Sequence, residues 1–312
     1  MIQESLFYGK ILLFGEYGVI EDSMGLSVPY AQYKGEFMFP ESYHPKQQSS
    51  NDSLKAYSFY LRELIDGDEL IFDFDIDTFS MDIENGIMFD STIPQGFGVG
   101  SSGALVAAIY DKYARVKIDK DSVSNDGILE LKKIFSQMEN YFHGKSSGLD
   151  PLICYLNLPI LIRSKDELES AELPESCVNG KGAIFLLNTG NPGKTEPMVN
   201  IFMEKLKNEG FRNVMKKEFK KHNDACIEAF LNKDPQPLLS NMKKLSTVLF
   251  DHFRPMIPDV FHKFWKEGIE TDSYYLKLCG SGGGGFIIGF TKDLEEAREK
   301  LKAHQMSVIY KF

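Results

Sequence analysis

An α+β protein in two domains is the fold class predicted by this 312-residue sequence, and three features of the chain predict it. Two strand-like segments, 9–20 and 28–39, open the chain without the strand–helix alternation that builds a parallel sheet. Helical spacing then takes over, and a glycine-rich turn feeds one of the helices. A fresh strand begins after Lys181 and is followed by several helices, which reads as a second unit in a chain long enough for two modest domains. The expected domains are therefore 1–180 and 181–312.

In chain order, the segment 9–20 holds an apolar strand bounded by glycines, with Lys10 at the strand's start and Glu16 just beyond its end. A lone charge of either kind is ordinarily a solvated surface group. Segment 28–39 is a second strand, 40–53 a polar and mobile loop, and 54–65 a helix. Residues 70–83 alternate apolar side chains with Asp73, Asp75 and Asp77, which predicts a strand with one face in water. The acids lack an EF-hand glycine and a closing Glu, which argues against calcium. Ile128, Leu131, Phe135, Met138 and Phe142 recur at helical spacing, so 127–142 is an amphipathic helix with Glu139 beside its apolar stripe. Strand 183–188 and loop 189–195 lead into helices with Phe219, Phe230, Leu238, Leu239, Leu245, Leu249, Phe261 and Trp265 as core candidates. His222, His252 and His262 show no ligand spacing. Strands 274–279 and 286–290 flank a glycine run, 280–285, whose cost in chain entropy implies that its backbone packs against a ligand or the earlier glycine loop.

Composition narrows the function classes. The chain is 43% hydrophobic and 26% charged, ordinary for a globular protein, and its formal net charge of −10 argues against nucleic acid or an anionic membrane as main partner. Cys154, Cys177, Cys226 and Cys279 are scattered without a C-x-x-C pair, which predicts reduced, mostly buried thiols. Residues 1–5 carry no signal-peptide pattern, and the apolar run 151–162 is too short and too interrupted to span a bilayer, so a cytoplasmic protein is expected.

The chemistry concentrates in the stretch 94–104, where alternating glycines run into two serines and a helix, 104–114. Glycines let the backbone approach a ligand, and the unpaired N–H groups that open a helix favour an anion. Ser101 and Ser102 add hydroxyl donors or an oxygen ligand for magnesium. A P-loop is excluded because no Lys precedes the serines. Gly98-x-Gly100-x-x-Gly103 satisfies a dinucleotide fingerprint, but the segment before it is polar and contains Pro94 rather than forming a buried strand. A second small-residue loop, His143 to Pro151, ends in Asp150. Locally Asp150 reads as a helix cap with Pro151 at the first helical position, yet beside a phosphate cradle it is the carboxylate that phosphorylation of an alcohol uses.

Taken together, these segments resemble the GHMP kinases, the superfamily of galactokinase, homoserine kinase, mevalonate kinase and phosphomevalonate kinase, and among them the mevalonate kinases most. The pattern G-K-x-x-L-x-G-E-[HY]-x-V falls on 9–19, P-x-x-x-G-x-G-S-S on 94–102, H-G-x-x-S-G-x-D on 143–150, and the glycine-rich turn after K-L on 280–285. Four motifs in order are far more specific than one. The resemblance implies a two-domain GHMP fold, with a ribosomal protein S5 domain 2-like N-terminal domain and a GHMP-type C-terminal domain. It implies that Pro94, Gly96, Gly98, Val99, Gly100, Ser101, Ser102 and Gly103 hold ATP, that Ser102 and Glu139 hold Mg²⁺, and that Asp150 acts on the substrate hydroxyl with Lys10 beside it. Substrate contacts are implied for Glu16, Tyr17, Ser147, Thr195, Gly282 and Gly283.

The expected activity is ATP-dependent phosphorylation of a small alcohol, with (R)-mevalonate at its 5-hydroxyl as first choice and no nucleic-acid or membrane partner, in a monomer or homodimer. Three departures bear on the acceptor. Tyr17 stands where many mevalonate kinases have His, Lys145-Ser146 replaces x-Pro, and Cys279-Gly280-Ser281 replaces T-G-A. Phosphomevalonate or a sugar is the alternative acceptor, and a nucleotide-binding protein without turnover is the alternative of another class.

Overall fold

The computed structural model describes residues 5–312. Residues 1–4, on which most of the no-leader reading rests, lie outside the described residues. The described residues divide into two discontinuous units, the first of residues 5–10, 29–95 and 100–158 and the second of residues 11–28, 96–99 and 159–312. Strands β1 (Phe7–Phe14) and β2 (Gly25–Met38) contribute residues to both.

In the first unit, helices α1 (Gln47–Asp66) and α2 (Ile76–Glu84) precede β3 (Met88–Ser91), which pairs antiparallel with β2 in the register Gly35↔Ser91 to Met38↔Met88. Helices α3 (Ser101–Tyr113), α4 (Asn125–His143) and α5 (Leu149–Leu156) complete it. Tyr57, Phe79, Tyr110 and Phe135 are fully buried, and Tyr57 satisfies its hydroxyl on the Met138 carbonyl at 3.0 Å.

Two expectations fail in this unit. Residues 47–53 are helical rather than loop, because Gln47 donates to the Gly86 carbonyl at 2.9 Å and Asn51 to Ile83 at 2.8 Å, tertiary bonds that a local reading of a polar segment does not contain. The expected strand 70–83 is instead a bend, a single bridge between Phe74 and Ala114, and α2. The Asp75 carboxylate accepts from the Thr78 N–H at 3.1 Å and caps the helix, while Phe79 and Ile83, four residues apart, are the buried pair. Alternation of short polar and apolar residues across a cap imitates a strand. Ser124 caps α4 in the same way, so that helix begins two residues before the expected start at Gly127.

The second unit holds β4 (Ile160–Ser164) and β5 (Glu167–Ser170), with strand order β1-β2-β4-β5 and Gly25 opposite Ile162. It continues with β6 (Ala183–Asn188), α6 (Thr195–Leu206), α7 (Glu209–Val214), a π turn Met215–Phe219, α8 (Lys220–Leu231), α9 (Pro235–His252) and α10 (Asp259–Thr271). Then come β7 (Tyr275–Leu278), β8 (Phe286–Thr291), α11 (Leu294–Lys300) and β9 (Met306–Lys311), the four strands ordered β7-β8-β6-β9. Phe219, Phe230, Leu238, Leu245, Leu249, Phe261 and Trp265 are buried as expected, and Leu239 is half-buried. Three of the four cysteines are buried and all are free thiols. No helix among the described residues is long and apolar enough to cross a membrane.

Candidate active site

In the first unit, β1, the end of α4 and the starts of α3 and α5 bring four of the implied residues together, Lys10, Ser102, Glu139 and Asp150. Lys10, on β1, is 3% exposed and its ammonium lies 2.7 Å from the Asp150 carboxylate, which is 40% exposed. Gly148 caps α5 in the left-handed region at φ 72°, so Asp150 sits inside the first helical turn and is not the cap that a local reading gives it. Freed from that duty, its carboxylate is open to solvent on one side and paired with Lys10 on the other. The Ser102 hydroxyl donates to Glu139 Oε1 at 3.2 Å and lies 3.2 Å from His143 Nε2, and the Ser146 hydroxyl donates to Glu139 Oε2. Ser147 only turns back to the Leu149 N–H, at 3.4 Å.

Glu139 is buried, and burial with the neighbouring Asp150 charge pushes its carboxyl up to about 7, opposed by the Ser146 and Ser102 hydrogen bonds and by Lys10. Burial holds the His143 imidazole below its ordinary value. Gly100 is the N-cap of α3 at φ 79°, and no side chain caps this helix, so Ser101, Ser102 and Gly103 open it with uncapped N–H groups. These are the donors an anion would meet.

The glycines are explained first by packing. A Cβ at Gly100 would come within 2.9 Å of Lys10 Cγ, and one at Gly103 within 2.8 Å of the Asp150 backbone. In the second unit, a Cβ at Gly96 would meet the Gly193 carbonyl at 2.8 Å, and one at Gly98 the Cys279 carbonyl at 2.5 Å. Gly193 donates to the Gly96 carbonyl at 2.7 Å, and a Cβ at Gly285 would meet Phe97 Cα at 2.5 Å. The later glycine run therefore packs on the earlier glycine loop, one of the two partners its entropy cost implies. Pro94 precedes that loop, and Val99 within it is buried.

The implied substrate residues of the second unit are held by one another and by residues the sequence did not single out. Glu16 is buried in an ion pair with Lys277, which is itself buried. Tyr17, at φ 59°, donates its hydroxyl to the Ser281 carbonyl at 2.7 Å and packs on Phe202 and Phe253. Burial, and then Glu16, raise the Tyr17 phenol above its ordinary range. Ser281 Oγ lies 3.5 Å from Thr195 Oγ1 at the start of α6, and Gly283 donates to the Met256 carbonyl at 2.7 Å. A Cβ at Gly282 would meet that same carbonyl at 2.6 Å. Lys277 had a visible signal, a lysine inside the apolar strand Tyr-Leu-Lys-Leu, which calls for a buried acid. Ser146 had only its departure from the family pattern.

No group of three or more His, Cys, Asp and Glu side chains is disposed to hold a metal among the described residues. The Ser102 hydroxyl and Glu139 carboxylate, in contact and both hard oxygen donors, nevertheless fit Mg²⁺, which takes one or two protein ligands and completes its shell with phosphate and water.

Family models match residues 60–157 as the GHMP kinases N terminal domain and residues 226–305 as the GHMP kinases C terminal domain. Among solved structures, the chain is similar to Leishmania major mevalonate kinase in complex with R-mevalonate, at 15% identity and TM-score 0.64 over 100% of this chain and 97% of that one. It is similar to Streptococcus pneumoniae phosphomevalonate kinase at 15% identity and TM-score 0.64, covering 98% and 99% of the two chains. Lactococcus lactis galactokinase complexed with galactose follows at 14% identity and TM-score 0.68, covering 99% and 94%. These identities show a shared fold alone. A comparison with curated protein sequences gives no match.

Proposed function

The chain belongs to the GHMP kinases, small-molecule phosphotransferases, and on that premise we propose that it transfers the γ-phosphoryl of ATP to a small alcohol, (R)-mevalonate at its 5-hydroxyl. The observation that carries the reading is the Lys10–Asp150 pair, 2.7 Å apart, beside the Ser102–Glu139 contact. Binding of a nucleotide alone would not require a partly exposed carboxylate fixed by a buried lysine.

In this mechanism the first N–H groups of α3 hold the phosphates, with the glycines at 96–103 shaping the approach. The Asp150 carboxylate accepts a hydrogen bond from the substrate hydroxyl, orients its oxygen, and takes its proton as the new O–P bond forms and the bond from the γ-phosphorus to its bridging oxygen breaks, with ADP as the leaving group. The Lys10 ammonium holds the Asp150 carboxylate in place at 2.7 Å and stabilises negative charge developing on the attacking oxygen. Ser102 and Glu139 would hold Mg²⁺, which when bound neutralises charge on the phosphate oxygens. Glu16, Tyr17, Ser147, Thr195, Gly282 and Gly283 remain the proposed acceptor contacts. Residues 1–180 carry the cradle and the acting aspartate in this reading, and residues 181–312 form the partner domain.

Tyr17 favours a second acceptor. A G-E-Y turn occurs in phosphomevalonate kinases, and the Tyr17 hydroxyl is committed to Ser281. An ADP-release assay with mevalonate, phosphomevalonate, galactose and homoserine decides between them. Turnover only with mevalonate is expected, and a preference for any other member of the panel overturns the acceptor while leaving the kinase.

A further inference from the structure

Ser146 lies between α4 and α5, and four hydrogen bonds meet at it. Its hydroxyl donates to Glu139 Oε2 and accepts from the Gly148 N–H at 3.0 Å. Its own N–H donates to Asn140 Oδ1 at 2.7 Å, and its carbonyl accepts from the Ser136 hydroxyl at 2.7 Å. Ser136, Glu139 and Asn140 are all on α4, whereas Gly148 is the N-cap of α5, so this one residue joins the two helices. The junction is tight as well, since a Cβ at Gly148 would come within 2.2 Å of the Lys132 carbonyl.

We propose that Ser146 is a positioning residue for the metal-binding carboxylate. By engaging Oε2 it leaves Oε1, the oxygen in contact with Ser102, to face Mg²⁺, and through Gly148 it fixes the turn that carries Asp150. The inference rests on the reading of Ser102 and Glu139 as the magnesium pair. A buried carboxylate with one oxygen unheld would swing about its last side-chain torsion, and groups that orient a ligand in this way typically govern metal affinity. Proline, the residue of the family pattern at this position, has neither the hydroxyl nor the N–H, so the device belongs to this chain.

The test is Mn²⁺ affinity of the protein with ADP, read by electron paramagnetic resonance, in four proteins. Ser146→Ala, which keeps the N–H and carbonyl bonds, is expected to weaken Mn²⁺ binding by about tenfold, the low end for loss of such a partner. Ser146→Thr keeps the hydroxyl and is expected to bind as the wild type does. Asn140→Ala removes a bond of the loop but none of Glu139, and is also expected to match the wild type. Should Ser146→Ala not fold, Ser146→Cys, with a weaker donor, carries the same comparison. Unchanged affinity in Ser146→Ala overturns the proposal alone. An equal loss in Asn140→Ala also overturns it, since loop geometry would then do the work. Absence of Mn²⁺ binding by the wild type overturns the magnesium pair itself, and the proposal with it.

Discussion

The Lys10 ammonium and the Asp150 carboxylate stand 2.7 Å apart, the lysine buried and the aspartate open to solvent on one side. That asymmetry suits a carboxylate that must meet a substrate while held from behind by a fixed partner. Asp150→Asn is expected to lower kcat by about 10²-fold or more, the scale of lost acid–base help, with nucleotide affinity little changed. Because Gly148 and not Asp150 caps α5, the loss could not be assigned to a frayed helix. A purified Asp150→Asn protein with near wild-type kcat would sink the assignment.

Glu139 predicts a pH dependence of stability in the ligand-free protein. Its folded value, raised to about 7, exceeds the ordinary carboxyl value of 4.5, so the folded state holds the proton more tightly than the unfolded one. The stabilisation is complete below the unfolded value and is lost as pH rises through the window from 4.5 to about 7. Thermal melts should show Tm falling across this window in the wild type and a flatter profile in Glu139→Gln. The same variant is expected to need more Mg²⁺ for activity, because an amide replaces a charged ligand. Parallel melting profiles and an unaltered Mg²⁺ curve would leave Glu139 a purely structural carboxyl.

Gly100→Val tests the cradle, and its side chain meets Lys10 first. With φ at 79° and Lys10 Cγ 2.9 Å from a new Cβ, the variant strains the backbone and displaces the lysine. Loss of nucleotide affinity by calorimetry is expected together with a loss of kcat and a stability cost of about 1–3 kcal/mol. Unchanged affinity in a folded Gly100→Val protein rules out phosphate binding at this turn.

The buried Glu16–Lys277 pair is expected to matter for stability through its partners rather than its attraction. Lys277→Met leaves the Glu16 carboxylate buried without that ammonium and should cost about 3–5 kcal/mol. Adding Glu16→Gln to Lys277→Met should recover part of it in urea melts. A double variant no more stable than Lys277→Met would show that the two side chains act independently.

Much of the fold was legible because it is local. The apolar runs of β6, β8 and α4 and the glycine turns carry their periodicity and punctuation in consecutive residues, and four ordered motifs were enough to name a family. The strand expected at 70–83 was wrong because a cap and a short helix share the polar–apolar alternation of a strand, and only packing of Phe79 and Ile83 chooses between them. Residues 47–53 were misread for a related reason, their helix being anchored by bonds to residues some thirty to forty positions away.

By itself, then, the sequence determined the α+β class, the kinase family and the candidates Lys10, Ser102, Glu139 and Asp150, since residue type and spacing along one chain suffice for those. Tertiary structure alone decided that Asp150 does not cap its helix, that Glu16 is neutralised by Lys277, and that Ser146 holds Glu139. The physical reason is the same in each case. A charge or a glycine in the sequence states a need, for a counter-ion, a hydrogen bond or an absent side chain, and the group that meets it is fixed only when distant segments of the chain are packed to within a few ångströms.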